Sequence, residues 1–225
     1  MTGSLAVVVC VRDGEPWLAE ALASITGQSR PPDELIVVDD GSADASMAIA
    51  ARHPVTVVAG PRAGVAAAHT AGIAAADADY VGFLGQDDRF APGALAALAA
   101  ALDAEPAAGM AAGDAILFTD EAKHFSGLRA DRLGTPHATR LPESVLIRAA
   151  ALAPLLPLRH DAAWDVDLFL RLDEAGVRTV RVDHVICHKR LRPGSAIHDP
   201  AAGQQREMLA ALRRSIERRR EAGRP

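Results

Sequence analysis

The 225-residue chain has only two cysteines, Cys10 and Cys187, and both lie inside apolar runs, VVVCV and VICH. Thiols so placed argue against a disulfide framework or a cysteine metal site and imply buried free thiols in a reducing compartment, the cytoplasm. No uninterrupted apolar stretch reaches about 18 residues, and no basic start precedes a long apolar run. A membrane span and a signal peptide are therefore not expected, and any membrane contact would be peripheral. Positive charge is not in excess: 24 Lys and Arg face 29 Asp and Glu, for a net charge of -5, which excludes a nucleic-acid footprint. The first apolar run is followed by Arg12-Asp13-Gly14-Glu15-Pro16 rather than G-x-G-x-x-G, which sets aside a dinucleotide-dependent oxidoreductase. A Gly-rich basic phosphate loop near the N-terminus is missing too, and with it the sugar-phosphate nucleotidyltransferases.

Hydrophobic residues make up 49% of the chain, enough for one sizeable core. We expect one domain over 1–203 and a basic amphipathic helix and tail over 204–225. Residues 5–11 (LAVVVCV) and 35–40 (LIVVDD) read as short strands around a helical pattern of Trp17, Leu18, Ala21, Leu22 and Ile25, which is a βαβ unit. The alternation continues with a helix from about 44, a strand at 55–60, a helix near 64–76, a strand at 79–85 and a helix from Pro92 to Leu102. The fold class that follows is α/β, a mostly parallel twisted sheet with helices on both faces. After Met110 the pattern loosens, and 119–142 reads as an irregular substrate loop. A helix over 164–176, a strand VRTVRV and a final helix complete the pattern; the last puts Met208, Leu209, Leu212 and Ile216 on one face with arginines around the rest.

Acidic residues gather where these strands end. The first delivers Arg12 and Asp13, the second Asp39 and Asp40 before Gly41-Ser42, and the strand at 79–85 delivers Gln86, Asp87 and Asp88. Ligands of open parallel sheets collect at such carboxyl ends, and a divalent cation with a polar nucleotide would neutralise carboxylates emerging from apolar strands.

These motifs, in this order, resemble the inverting family-2 glycosyltransferases of GT-A fold over nearly the whole chain. VVVCVRDGEPWLAEALASITGQSRPPDELIVVDDGSADAS is similar to the family's nucleotide-binding half, here 1–104, and GVAAAHTAGIAAADADYVGFLGQDDRFAPGALAAL to the segment leading into its metal-binding D-x-D motif. In the acceptor and catalytic half, 105–203, WDVDLFLRLDEAG is similar to the helix bearing the catalytic base and RLRPGSAIH to the loop over the diphosphate. The resemblance implies transfer of a sugar from a nucleoside-diphosphate donor, a UDP-sugar, to a hydroxyl acceptor with inversion. It gives Asp165 as base, Arg12, Asp13, Asp39, Asp40 and Gln86 on the nucleotide, and Asp87, Asp88 and His198 at Mg2+ or Mn2+. Arg190, Arg192 and Ser195 would hold the diphosphate.

Two positions depart from the family pattern. D-x-D reads Gly85-Gln86-Asp87, and the Glu expected before the base is Trp164. A non-catalytic nucleotide-sugar-binding relative is the alternative these departures raise. Asp167 is a second candidate base, although two residues along a helix it would point to a different face. Plainer readings stand beside the sharp ones: Asp39 and Asp40 suit a helix-capping turn, and Asp165 suits a helix N-terminus. His184 and His188 read as structural rather than as zinc ligands.

Overall fold

In the computed structural model, the described residues are 2–120, 133–159, 163–192 and 202–223, which leaves His198 and Ser195 outside them. The strands are β1 (Leu5–Val11), β2 (Glu34–Asp39), β3 (Thr56–Ala59), β4 (Tyr80–Phe83), β5 (Arg89–Phe90), β6 (Ala108–Phe118), β7 (Pro136–Ala138), β8 (Val145–Arg148) and β9 (Arg178–Arg190). Helices α1 (Leu18–Thr26), α2 (Ser46–Ala50), α3 (Val65–Ala75), α4 (Ala94–Ala104), α5 (Ala149–Leu152), α6 (Trp164–Glu174) and α7 (Ala202–Glu221) lie between and after them.

Among the described residues the strands form one sheet in the order β3-β2-β1-β4-β8-β6-β9-β5, with β7 against β6. β3, β2, β1 and β4 are mutually parallel, as βαβ connections require. β8 then runs antiparallel to both β4 and β6, while the long β6 and β9 are parallel to each other. Chain order reverses between β1 and β4, which opens a crevice at their carboxyl ends.

Both faces of β1 are buried, and that is why its residues read as an unbroken apolar run. Val7, Val9 and Val11 meet Leu18 and Leu22 of α1 and Leu95 and Leu98 of α4. Val8 points the other way, with Ile36, Val38, Ile73 of α3 and Leu168 and Leu172 of α6. In α1 the buried Leu18, Ala21, Leu22 and Ile25 repeat at helical spacing, and the helix stops at Gly27, whose amide donates to the Ala23 carbonyl at 2.9 Å.

Two stretches differ from the sequence expectation. The loosening expected after Met110 is instead β6, a central strand of the second half. Its AGMAAGDAILF is poor in β-branched residues, and its small side chains are what the packing requires: a Cβ on Gly109 would sit 2.6 Å from Val177. The strand expected at VRTVRV runs on through Arg190, paired with β6 through most of its length, and so carries Lys189 and Arg190 to the crevice.

Candidate functional site

A cavity of about 520 Å³ opens at the ends of β1 and β4. Its walls include Cys10 from β1 and Arg12 just after it, Asp40 after β2, Gly85, Gln86 and Asp87 after β4, Trp164 and Asp165 from α6, Lys189 and Arg190 from the end of β9, and Arg192 just beyond it. Segments far apart in the chain meet there because each is the run-out of a buried strand or the start of a helix packed on the sheet.

On the β1–β2 side the turns are fixed by their own carboxylates. Asp39 accepts the amides of Gly41 (3.2 Å) and Ser42 (2.8 Å). Burial opposes ionisation there, but these bonds, with Arg62 nearby, leave its carboxyl below the usual aspartate range. Asp40, buried, accepts the Arg62 amide at 2.8 Å, and Asp13 accepts that of Ala43 at 2.8 Å. Gln86 is a tie between strand ends: its Oε1 accepts the Arg12 amide at 2.9 Å and its Nε2 donates to the Arg12 carbonyl at 3.1 Å. Of the residues expected on the nucleotide, Arg12, Asp40 and Gln86 line the cavity, whereas Asp13 and Asp39 shape the loops beside it.

The two adjacent aspartates after β4 do different things. Asp87 faces the cavity and accepts from Nε of Arg192 at 2.5 Å, and that guanidinium stacks 4.7 Å from the Trp17 ring. The metal role expected of Asp88 does not fit its position. Its side chain is fully buried, Oδ2 accepts from Lys189 Nζ at 2.7 Å, and Oδ1 accepts the Arg190 amide at 2.9 Å. Burial pushes its carboxyl up to about 7 against the pull of Lys189. Since each oxygen already has a donor, the ionised form is the one these contacts satisfy. Burial likewise works against the Lys189 ammonium, but Asp88 and Glu143, the latter at 2.8 Å, outweigh it and hold the proton well above the ordinary lysine range.

This buried network explains Gly85. Its φ is not left-handed, so conformational freedom is not why glycine stands there. A Cβ would overlap Oδ2 of Asp88 and lie 3.1 Å from its Cγ. The first carboxylate of the expected metal motif is therefore absent because the Asp88 side chain fills its space.

Arg190 also departs from its expected diphosphate role. It donates to the Asp87 carbonyl at 2.8 Å, pairs with Asp120 and Glu20, and lies 4.6 Å over the Phe118 ring, 5% exposed. Its donors serve the protein and brace the end of β9. Arg192, 32% exposed, retains the freedom to reach a ligand.

Asp165 opens α6 at the cavity wall. Burial raises its carboxyl above the usual aspartate value, with the Val166 amide opposing and Glu143 adding to the rise. Trp164, where the resemblance leads one to expect Glu, stacks on His69 at 4.1 Å and meets Phe83 edge-on at 5.8 Å, so it roots the start of α6 in the core. The alternative base, Asp167, does not line the cavity: it is 1% exposed and lies 3.6 Å from both Arg171 and Arg218.

Glu143 and Lys189, both on the cavity wall, are not among the residues the sequence motifs single out. Lys189 is detectable as a charge just past the short apolar run Val185-Ile186-Cys187; Glu143 follows directly on the irregular 119–142 stretch, where no pattern singles it out. His184 takes the structural role expected, with Nε2 2.9 Å from the Pro92 carbonyl. Among the described residues no group of three or more His, Cys, Asp or Glu could by itself hold a metal ion. One cavity-facing carboxylate, Asp87, still fits the way Mg2+ is commonly bound, through one or two carboxylates, substrate phosphates and water.

Residues 6–144 match the profile of glycosyl transferase family 2. The O-antigen biosynthesis protein RfbC of Myxococcus xanthus is 31% identical over 83% of this chain, which spans 16% of that protein. An uncharacterized glycosyltransferase of Mycobacterium tuberculosis is 28% identical over 96% of this chain and 95% of its own length. Among solved structures, S. aureus TarS 1-349 in complex with UDP superimposes with a TM-score of 0.67 at 17% identity, over 93% of this chain and 65% of that one. Glucosyl-3-phosphoglycerate synthase from Mycobacterium tuberculosis, in complex with Mn2+, UDP and phosphoglyceric acid, gives 0.69 at 20% identity, over 95% and 78%. The fold is the GT-A fold expected from the sequence.

Proposed function

The chain belongs to glycosyl transferase family 2, and from that premise we propose that it moves a sugar from a nucleoside-diphosphate donor to a hydroxyl acceptor with inversion at the anomeric carbon. The carrying observation is the cavity at the β1–β4 switch point, where the Asp87–Arg192 pair and Asp165 face one space. Asp40 and Arg12 are suited to the nucleotide, with uridine favoured by the UDP bound in two similar structures. Arg192 is suited to the diphosphate: a guanidinium paired with Asp87 can exchange that carboxylate for phosphate oxygens without loss of a charged partner. Asp87, released by that exchange, is the residue that would hold Mg2+ or Mn2+. The cation, when bound, offsets charge growing on the departing nucleoside diphosphate.

Asp165 then takes the proton of the acceptor hydroxyl as that oxygen attacks the anomeric carbon and the bond to the diphosphate breaks. Desolvation raises its basicity toward the working pH, which is what a general base needs. Lys189 keeps a positive charge beside Glu143 and Asp88 and limits how far the Glu143 charge opposes ionised Asp165.

Calorimetry of UDP with excess Mn2+ and with EDTA tests the donor half. Parent protein should bind more tightly with metal, and Asp87→Ala should lose that difference. Equal affinity in EDTA, or an Asp87→Ala protein that binds like the parent, refutes the assignment. One observation favours a second reading, a binding protein without turnover: Gly85 leaves Asp87 as the single carboxylate of its motif facing the cavity. Acceptor-dependent release of UDP separates the two.

A further inference from the structure

Helix α7 docks by an unusual side. Ala211 and Ser215 are buried against the body of the protein, and polar contacts pin them there: Ser215 Oγ to Glu174 at 2.5 Å and Arg218 Nε to Glu174 at 2.6 Å. The large apolar side chains lie beside that face and not under it. Met208, Leu209, Leu212 and Ile216 are 40%, 52%, 40% and 50% exposed. At about 100° per residue these four share an arc about 100° wide that flanks the docked face, Met208 being nearest to Ser215 and Leu209 farthest from it. Arg206, Arg213 and Arg220, spaced by seven, run in a row along the solvent edge of that arc. The helix carries six arginines against three glutamates on a chain whose net charge is -5. A contiguous apolar stripe with a basic border is the pattern of an interaction surface rather than of scattered exposure.

We infer that this face rests on an anionic lipid surface, with the four apolar side chains at the acyl boundary and the arginines among the phosphates. An anionic bilayer supplies both things the helix presents, an apolar layer and negative charge, in the geometry of a helix lying in the interface plane. A second copy of the chain suits it less well. An antiparallel pairing of two such stripes brings one arginine row toward the other, and in any pairing four apolar side chains fall far short of the roughly 20–30 residues a side of a stable interface. No helix among the described residues is long and apolar enough to cross a membrane, so contact through α7 is peripheral. The inference stands on the contacts of α7 and is independent of the reaction proposed above.

Flotation of the whole chain with vesicles tests it, using phosphatidylcholine alone and phosphatidylcholine mixed with phosphatidylglycerol. Binding is expected to the mixed vesicles only and should weaken with added salt. Each arginine near an anionic surface contributes a factor of about five, so the combined Arg206→Gln, Arg213→Gln and Arg220→Gln protein should bind about 10²-fold more weakly. Leu209→Ser with Leu212→Ser should lose at least about tenfold while melting like the parent, since both side chains are exposed. No binding to the mixed vesicles, or equal binding to both kinds, overturns the inference. A concentration-dependent dimer in sedimentation that the Leu209→Ser, Leu212→Ser protein no longer forms would assign the face to a second copy instead.

Discussion

Replacing Gly85 by Ala should unfold part of what makes the cavity, and the structure sets the scale. The backbone there accepts any residue, so the substitution alone should stabilise by about 0.4–1 kcal/mol through the unfolded chain. The new methyl group, however, overlaps Oδ2 of Asp88 and lies 3.1 Å from its Cγ, and the carboxylate must leave. Leaving separates it from Lys189 at 2.7 Å and from the Arg190 amide at 2.9 Å, with Lys189 only 17% exposed. Separating a buried ion pair costs about 3–5 kcal/mol, so the net loss is about 2–4 kcal/mol. For a chain of this length that lowers Tm by roughly 4–16 °C. Thermal and urea melts of Gly85→Ala, Asp88→Ala and the double variant form a cycle that isolates the cause. With Asp88 already truncated the methyl group has room, and Gly85→Ala should then be neutral or slightly stabilising. A Gly85→Ala protein as stable as the parent, or one equally destabilised in both backgrounds, refutes the reasoning. Gly85→Asp, which restores the carboxylate of the expected motif, meets the same oxygen and should lose stability rather than gain Mn2+ affinity.

Asp165→Asn should lower acceptor-dependent UDP release by about 10² to 10⁴ with donor affinity unchanged, whereas Asp167→Asn, beside Arg171 and Arg218, should lower Tm and spare turnover; parental rates in Asp165→Asn would move the base elsewhere. Turnover should fall as pH drops through the raised pKa of Asp165, on a limb above the ordinary aspartate range. A carboxyl raised by folding contributes stability at low pH that is lost as pH rises through the folded-state pKa, so Asp165→Asn should gain most over the parent in Tm at neutral pH and lose that gain on acidification. Melts across the acid range check this sign, and a gain that grows toward low pH would contradict it.

The nucleotide-side half was legible because its residues obey local rules. β1 and β2 are β-branched runs long enough to be buried on both faces, α1 repeats its apolar residues at helical spacing, and carboxylates that follow such strands must emerge at one edge of the sheet. Those patterns are properties of short segments, and they sufficed for the fold class, for Asp87 at the cavity and for Asp165 opening a helix. What escaped them depends on partners far away in the chain. β6 is a strand because its alanines and glycines admit Val177 and Ile186, a packing preference that local propensity runs against. Asp87 and Asp88, adjacent and identical in type, take opposite fates because β9 delivers Lys189 behind one and Arg192 before the other. Glu143 joins that network from 46 residues away, and Gly85 is required only because Asp88 turns inward. Sequence alone likewise shows that α7 has an apolar stripe and an arginine row, but only its docking through Ser215 and Arg218 onto α6 decides that the stripe faces outward.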